Sequence, residues 1–165
     1  RLLVKSPGLA DAATRDTLLG RFREAGIEGG RVELVPHVKG LHEHLARYSG
    51  VHVALDTHPY SGTTTTCEAL WMGVPTVTLP GDRHRSRVSA SLLAAAGFPE
   101  LVASDPESFV AIARDLALDR ERLAAFRRDA RERMRRSALL DAEAYAVRFH
   151  EAIRRCWRYR CRSGS

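Results

Sequence analysis

The sequence lacks any apolar run long enough to cross a bilayer as a helix, which excludes a helical membrane protein. It shows no secretory signal peptide, so the cytoplasm is the expected compartment. Cysteine is scarce: Cys67, Cys156 and Cys161 are an odd number without metal-ligand spacing, which argues for reduced thiols over a disulfide framework or a zinc site. No internal repeat is present, so a solenoid or array is excluded for this stretch.

What is present is an ordinary globular composition, with 44% apolar and 28% charged residues over 165 positions. That length suits one domain with a respectable core, expected over residues 1–162 with a disordered tail at 163–165. The formal net charge of +6 raises the question of a nucleic-acid partner. Its distribution argues against one. The arginines of residues 120–136 and 154–162 are interleaved with Asp119, Glu121, Asp129, Glu132, Asp141 and Glu143, as on solvated charged helices.

The chain is organised around Asp56 to Pro75, DTHPYSGTTTTCEALWMGVP. Val51, Val53, Ala54 and Leu55 read as a strand covered on both faces. Asp56 and Thr57 follow at its carboxyl end, the edge where open α/β sheets bind ligands. Pro59, Ser61 and Gly62 break the run, and four threonines then open a helix. At a helix start, threonine hydroxyls and unbonded backbone amides point the same way, at the positive end of the helix dipole. The result is a place for an anion, most naturally a phosphate. Glu68, four residues after Thr64 and three after Thr65, projects from the same face one turn further in, within reach of a ribose diol. On the residues alone, a threonine N-cap with Glu68 as a solvated or dipole-pairing carboxylate is the more ordinary reading.

Around this stretch strands and helices alternate. Arg1–Lys5 reads as a strand that starts at the first residue, which points to a piece of a longer polypeptide. A helix is predicted from Asp11 to Ala25, a strand from Arg31 to Val35 stopped by Pro36, and a short helix from about Gly40. After the threonine helix come a buried strand at Thr76–Leu79 and a helix at Arg83–Ala96 with Val88, Leu92, Ala95 and Ala96 as its core stripe. A short strand is predicted at Leu101–Ala103. Asp105, Pro106 and Glu107 start another helix, whose inner face is Phe109, Ile112, Ala113 and Leu116. Charged helices follow at Arg120–Met134 and from Asp141 to about Trp157, the last with Tyr145, Phe149, Ile153 and Trp157 as a packing stripe. The fold class expected is α/β, a Rossmann-like parallel sheet with helices on both faces and a helical C-terminal extension.

The segment His37–Ser49, HVKGLHEHLARYS, places His44 and Arg47 three apart on a helix. Histidine can donate to a diphosphate oxygen, and arginine carries fixed positive charge. His42 and His44 are two apart, on different helical faces, which argues against a shared metal. By composition alone these histidines read as surface residues.

The block LDTHPYSGTTTTCEALWMGVPTVTLPGDRHRSRVSASLLAAAGFPELVA, with VPHVKGLHEHLARY ahead of it, closely resembles family 41 glycosyltransferases, the O-GlcNAc transferase and SPINDLY-like enzymes. The likeness runs from about Leu2 to Trp157. It implies the C-terminal lobe of a GT-B glycosyltransferase, the lobe that holds a nucleotide sugar, with UDP-GlcNAc as donor and a protein Ser or Thr hydroxyl as acceptor. It also implies the rest of the enzyme, including an N-terminal lobe and tetratricopeptide repeats, as partners in the same polypeptide. The family's nucleotide-contacting histidine and its companion arginine fall on His44 and Arg47, and its base-reading backbone on Val38 and Lys39. Its phosphate-contacting residues fall on Thr63, Thr64 and Thr65, and its ribose-binding carboxylate on Glu68. Animal members carry histidine where Thr63 stands, aspartate at Glu68 and lysine at Leu41, so donor affinity or identity is expected to differ. The family's proposed catalytic histidine and its diphosphate lysine match nothing here and belong upstream, so no catalytic residue is assigned and the chain alone is expected to be inactive. No metal is expected, because no carboxylate pair of the kind a metal-dependent transferase uses is present. Two other readings remain open on the residues: another GT-B enzyme, such as a UDP-GlcNAc epimerase or a transferase with a different donor, and a non-catalytic interaction domain.

Overall fold

In the computed structural model, which describes residues 1–163, parallel strands alternate with helices in two units, Arg1–Ala46 and the described residues from Arg47 onward. In the first, β1 (Leu2–Lys5) pairs in parallel with β2 (Val32–Val35), Leu2 opposite Val32 and Lys5 opposite Val35. The crossover that a parallel pair requires is α1 (Ala12–Glu24). Its start follows from sequence chemistry: the Asp11 carboxylate accepts from the Thr14 amide at 2.7 Å and from its hydroxyl at 2.7 Å. Gly26, at φ +77°, follows its end. Leu18 and Phe22 are half-buried, Thr17 and Ala25 are exposed, and the buried apolar residues of this unit are Leu9, Val32 and Val35. The short α2 (Leu41–Ala46) closes the unit, its His44 amide donating to Gly40.

In the second unit β3 (Ala54–Leu55) pairs in parallel with β4 (Thr76–Val77), shorter than the strands predicted at Val51–Leu55 and Thr76–Leu79. The register sets Pro75 against the residues just before Ala54, and proline has no amide to extend the ladder. Hydrogen bonds nonetheless reach one residue beyond it, from Asp56 N to Val77 O at 2.9 Å. The strand predicted at Leu101–Ala103 is reduced to one parallel bridge, Thr78 to Val102, behind a 3-10 turn at Pro99–Leu101.

Between the strands lies α3 (Thr64–Trp71). The helix predicted at Arg83–Ala96 is instead a 3-10 turn, His84–Ser86, followed by α4 (Val88–Ala95). Two carbonyls explain the break: Arg85 O accepts from Ser61 N and Gly81 N donates to Ser86 O, so both oxygens are committed elsewhere. The inner face of α4 is also one residue off the predicted stripe. Ser89, Leu93 and Ala96 are buried, Val88 and Leu92 are half-buried, and Ala95 is exposed. Ser89 turns inward because it is hydrogen-bonded there.

Three helices complete the chain. The predicted start of α5 (Pro106–Leu118) is present as a reciprocal cap between Asp105 and Ser108. Phe109, Ile112 and Ala113 pack against the core, where Leu116 is buried. α6 (Arg120–Arg135) inserts Ala130 and Met134 beside Leu70, Val77, Leu93, Phe98 and Leu101. Its arginines do more than face solvent. Arg127 donates to Val51 O at 2.9 Å, Arg131 to Trp71 O at 3.0 Å, and Arg133 to Gly97 O. Arg131 and Arg135 both lie over the Trp71 ring. Gly73 is required: at φ +75°, a Cβ there would sit 2.9 Å from Arg127 O. α7 (Ala142–Ser163) runs further than predicted, and its stripe is not packed: Tyr145, Phe149, Ile153 and Trp157 are exposed. Residues 164 and 165 of the expected tail lie outside the described residues. Among the described residues no helix is long and apolar enough to cross a membrane.

Candidate functional site

The loop from β3 to α3 is held by hydrogen bonds among small polar residues. Asp56, at the carboxyl end of β3, accepts from Gly62 N at 2.6 Å through one carboxylate oxygen and from the Thr78 hydroxyl at 2.6 Å through the other. Ser61 donates its amide (2.8 Å) and hydroxyl (2.9 Å) to Arg85 O. Ser89 donates to Gly62 O at 2.9 Å and shares a 2.8 Å hydrogen bond with Thr66. Gly62 is thus pinned through both its amide and its carbonyl. There is no room for more: a Cβ on it would lie 2.5 Å from Thr66 Oγ1 and 2.8 Å from Thr65 Oγ1.

Thr63 takes the N-cap position of α3, but its side chain makes no capping hydrogen bond. The first backbone bond of the helix runs from Cys67 N to Thr63 O, so the amides of Thr64, Thr65 and Thr66 have no partner within the helix. Thr63, Thr64 and Thr65 are exposed at this positive end. Thr66 departs from the expectation that all four hydroxyls face one way. It is 2% exposed and turned inward onto Ser89.

Glu68 is half-buried one turn along α3. Its surroundings include a residue that sequence reasoning passed over, Tyr48, in the 3-10 turn Arg47–Gly50. Burial, and then the Glu68 carboxylate, push the Tyr48 phenol up to about 12. The same two causes, in the same order, raise the Cys67 thiol. Tyr48 also donates to Thr65 O at 3.4 Å. Arg47 is exposed beside it. The second unit therefore brings the threonines, Glu68 and Tyr48 into one neighbourhood.

Val38, Lys39 and His44 belong to the first unit. Val38 and Lys39 lie in the connection from β2 to α2, ahead of Gly40 at φ +95°. His44 is half-buried on α2, and its Nδ1 meets the ammonium of Lys5 at the end of β1. An ammonium has only donors, so Nδ1 accepts and a neutral His44 ring carries its proton on Nε2. Lys5 was invisible as a partner because it is 39 positions away. Among the described residues no group of three or more His, Cys, Asp or Glu is arranged to hold a metal ion.

A sequence profile described as "Glycosyl transferase family 41" matches residues 9–149. The chain is 40% identical over 161 residues to a probable UDP-N-acetylglucosamine--peptide N-acetylglucosaminyltransferase SPINDLY of Hordeum vulgare, a match covering 98% of this chain and 17% of that protein. Against a UDP-N-acetylglucosamine--peptide N-acetylglucosaminyltransferase of Caenorhabditis elegans it is 35% identical over 135 residues, 82% of this chain and 12% of that one. Its fold matches a solved O-GlcNAc transferase mutant from Thermobaculum terrenum with a TM-score of 0.90 and 38% identity, over 100% of this chain and 32% of the solved one. The chain thus spans under a fifth of the curated relatives and about a third of that structure. The α/β fold with parallel strands is the Rossmann-like lobe of a GT-B glycosyltransferase. With the family profile reaching from the first unit into α7, and the threonine turn and LWMGVP helix end in place, the chain belongs to glycosyl transferase family 41.

Proposed function

We propose that this chain is the nucleotide-sugar-binding part of an enzyme that transfers N-acetylglucosamine from UDP-N-acetylglucosamine to serine or threonine hydroxyls of proteins. One observation carries the reading: α3 opens with three exposed threonines and three amides lacking intrahelical partners, and Glu68 follows one turn on. The departing nucleoside diphosphate gains negative charge as the sugar bond breaks. Donors aimed beforehand at that charge lower the barrier without reorganising. Thr63, Thr64 and Thr65 take the diphosphate, the helix dipole adds to their effect, and Glu68 accepts from the ribose hydroxyls. Val38, Lys39, His44 and Arg47 keep the roles the family resemblance assigns them, backbone reading of the base for the first two and nucleotide contacts for the others. These donors neutralise diphosphate charge without a metal. The groups that act on the acceptor are not assigned to this chain, which is expected to bind donor and turn over nothing alone.

Thermal unfolding with UDP, with GDP and without nucleotide tests this. A ligand at one hundred times its Kd stabilises the folded state by about 2.7 kcal/mol, enough for a clear rise in Tm. Stabilisation by UDP and not GDP, lost on Thr64→Ala and on His44→Ala with the fold intact, is expected. No stabilisation by any nucleotide sugar or diphosphate favours an interaction domain, and preference for GDP favours a different donor.

A further inference from the structure

We infer that Asp56 is a positioning residue for the nucleotide site: its carboxylate ties the start of α3 to the ends of β3 and β4, and so sets where Thr63, Thr64 and Thr65 present their donors. The inference rests on the reading that a diphosphate binds at the start of α3.

Between Leu55 and Thr64 the chain has no regular structure. A loop of that kind does not by itself fix the helix that follows. Ser61 and Ser89 tie the loop to Arg85 and to α4, and Asp56 supplies the tie to the strands. Its amide continues the ladder to Val77 O, so its main chain moves with the two strands. One carboxylate oxygen then takes the Thr78 hydroxyl, just past β4, and the other takes the Gly62 amide, one residue before Thr63. Thr78 is itself anchored, its amide donating to Leu101 O and its carbonyl accepting from Ala103 N. A charged acceptor makes both bonds short, 2.6 Å each, and strong. The Gly62 amide is used up inside the protein and is no ligand donor. Its work is to hold the next residues at a set distance from the strands. Gly62 precedes Thr63 directly, and a Cβ on it would meet the buried Thr66 hydroxyl at 2.5 Å, so a shift of Gly62 is felt in the first turn of α3.

The test separates this role from plain stability by using variants that keep or remove each arm. Asp56→Asn keeps an acceptor for Gly62 N and offers its own amide to the Thr78 oxygen. Asp56→Ala removes both arms, and Thr78→Val removes one. Amide hydrogen exchange without nucleotide reads the tether itself. In Asp56→Ala, exchange at the Gly62 amide is expected to rise at least tenfold while Val77 and Leu93 keep their protection. Calorimetric titration with UDP reads the consequence. The Kd is expected to weaken tenfold or more in Asp56→Ala, about threefold in Thr78→Val, and to stay within threefold in Asp56→Asn. Unchanged exchange at the Gly62 amide in folded Asp56→Ala overturns the tether, whatever nucleotide does. Should Asp56→Ala not fold, the same two readouts on Thr78→Val decide. Faster exchange with undiminished UDP affinity overturns the positioning role. Faster exchange in a protein whose wild-type form binds no UDP leaves the tether standing and counts against the nucleotide reading instead.

Discussion

The crowding around Gly62 makes a quantitative prediction through a double-mutant cycle. In Gly62→Ala the new Cβ falls 2.5 Å from Thr66 Oγ1, well inside the 3.4 Å at which ordinary contact begins. Thr65 Oγ1, at 2.8 Å, belongs to an exposed side chain that can rotate away. Thr66 cannot, because it is buried and its hydroxyl is bonded to Ser89. Forcing a methyl into that space costs about 1–3 kcal/mol. Thr66→Ala alone removes the Ser89 hydrogen bond and a buried methyl, for about 1–3 kcal/mol. In the double variant the alanine Cβ at position 62 meets no hydroxyl at position 66, so the two losses do not add. The double variant is expected to lie close to Thr66→Ala, a coupling of about 1–3 kcal/mol. Urea unfolding with matched m-values measures all four corners. Additivity within about 0.5 kcal/mol, or a neutral Gly62→Ala, would refute the packing described at this turn.

Three further outcomes follow from the same geometry. Thr76 Oγ1 is buried without a hydrogen-bond partner among the described residues, so Thr76→Val is expected to stabilise the fold by about 1 kcal/mol in urea melts, and a clear loss would reveal a partner for the hydroxyl. The Tyr48 phenol ionises at about 12 when folded and at 10.0 when not, so its contribution to stability is complete below pH 10 and fades as the pH rises to 12. Phenolate absorbance, with Tyr48→Phe as the blank, should show that step, and Glu68→Gln should move it only part of the way back because burial is the larger cause; no movement would place Glu68 elsewhere. Trp157 is 69% exposed, so Trp157→Ala should change unfolding free energy by less than about 0.5 kcal/mol, and a loss beyond about 1.5 kcal/mol would mean that the α7 stripe is packed.

Much of the fold is legible because its signals are local. The Asp105 start of α5 and its inner face follow from residues within one or two turns. The place of Thr63, Thr64 and Thr65 at the start of α3 is legible for the same reason. What the sequence hides is decided across the chain. The helix predicted from Arg83 breaks because Ser61 and Gly81 claim its carbonyls. Ser89 rotates α4 by one position because Thr66, 23 residues away, offers a hydroxyl. Thr66 looks like its three neighbours in sequence and differs only in what it meets. Lys5 beside His44 and Tyr48 beside Glu68 are likewise pairings that periodicity does not carry. The α7 stripe shows the reverse case: a clear amphipathic pattern, read as packed, stands exposed among the described residues.

The central claim is that a diphosphate sits where the amides and hydroxyls of Thr64 and Thr65 converge. A crystal of this chain soaked with UDP tests it most directly. The account predicts diphosphate oxygens within about 2.7–3.2 Å of those amides and hydroxyls, with the ribose toward Glu68. UDP bound elsewhere, or a well-ordered crystal with that helix start open and empty at saturating UDP, would contradict it.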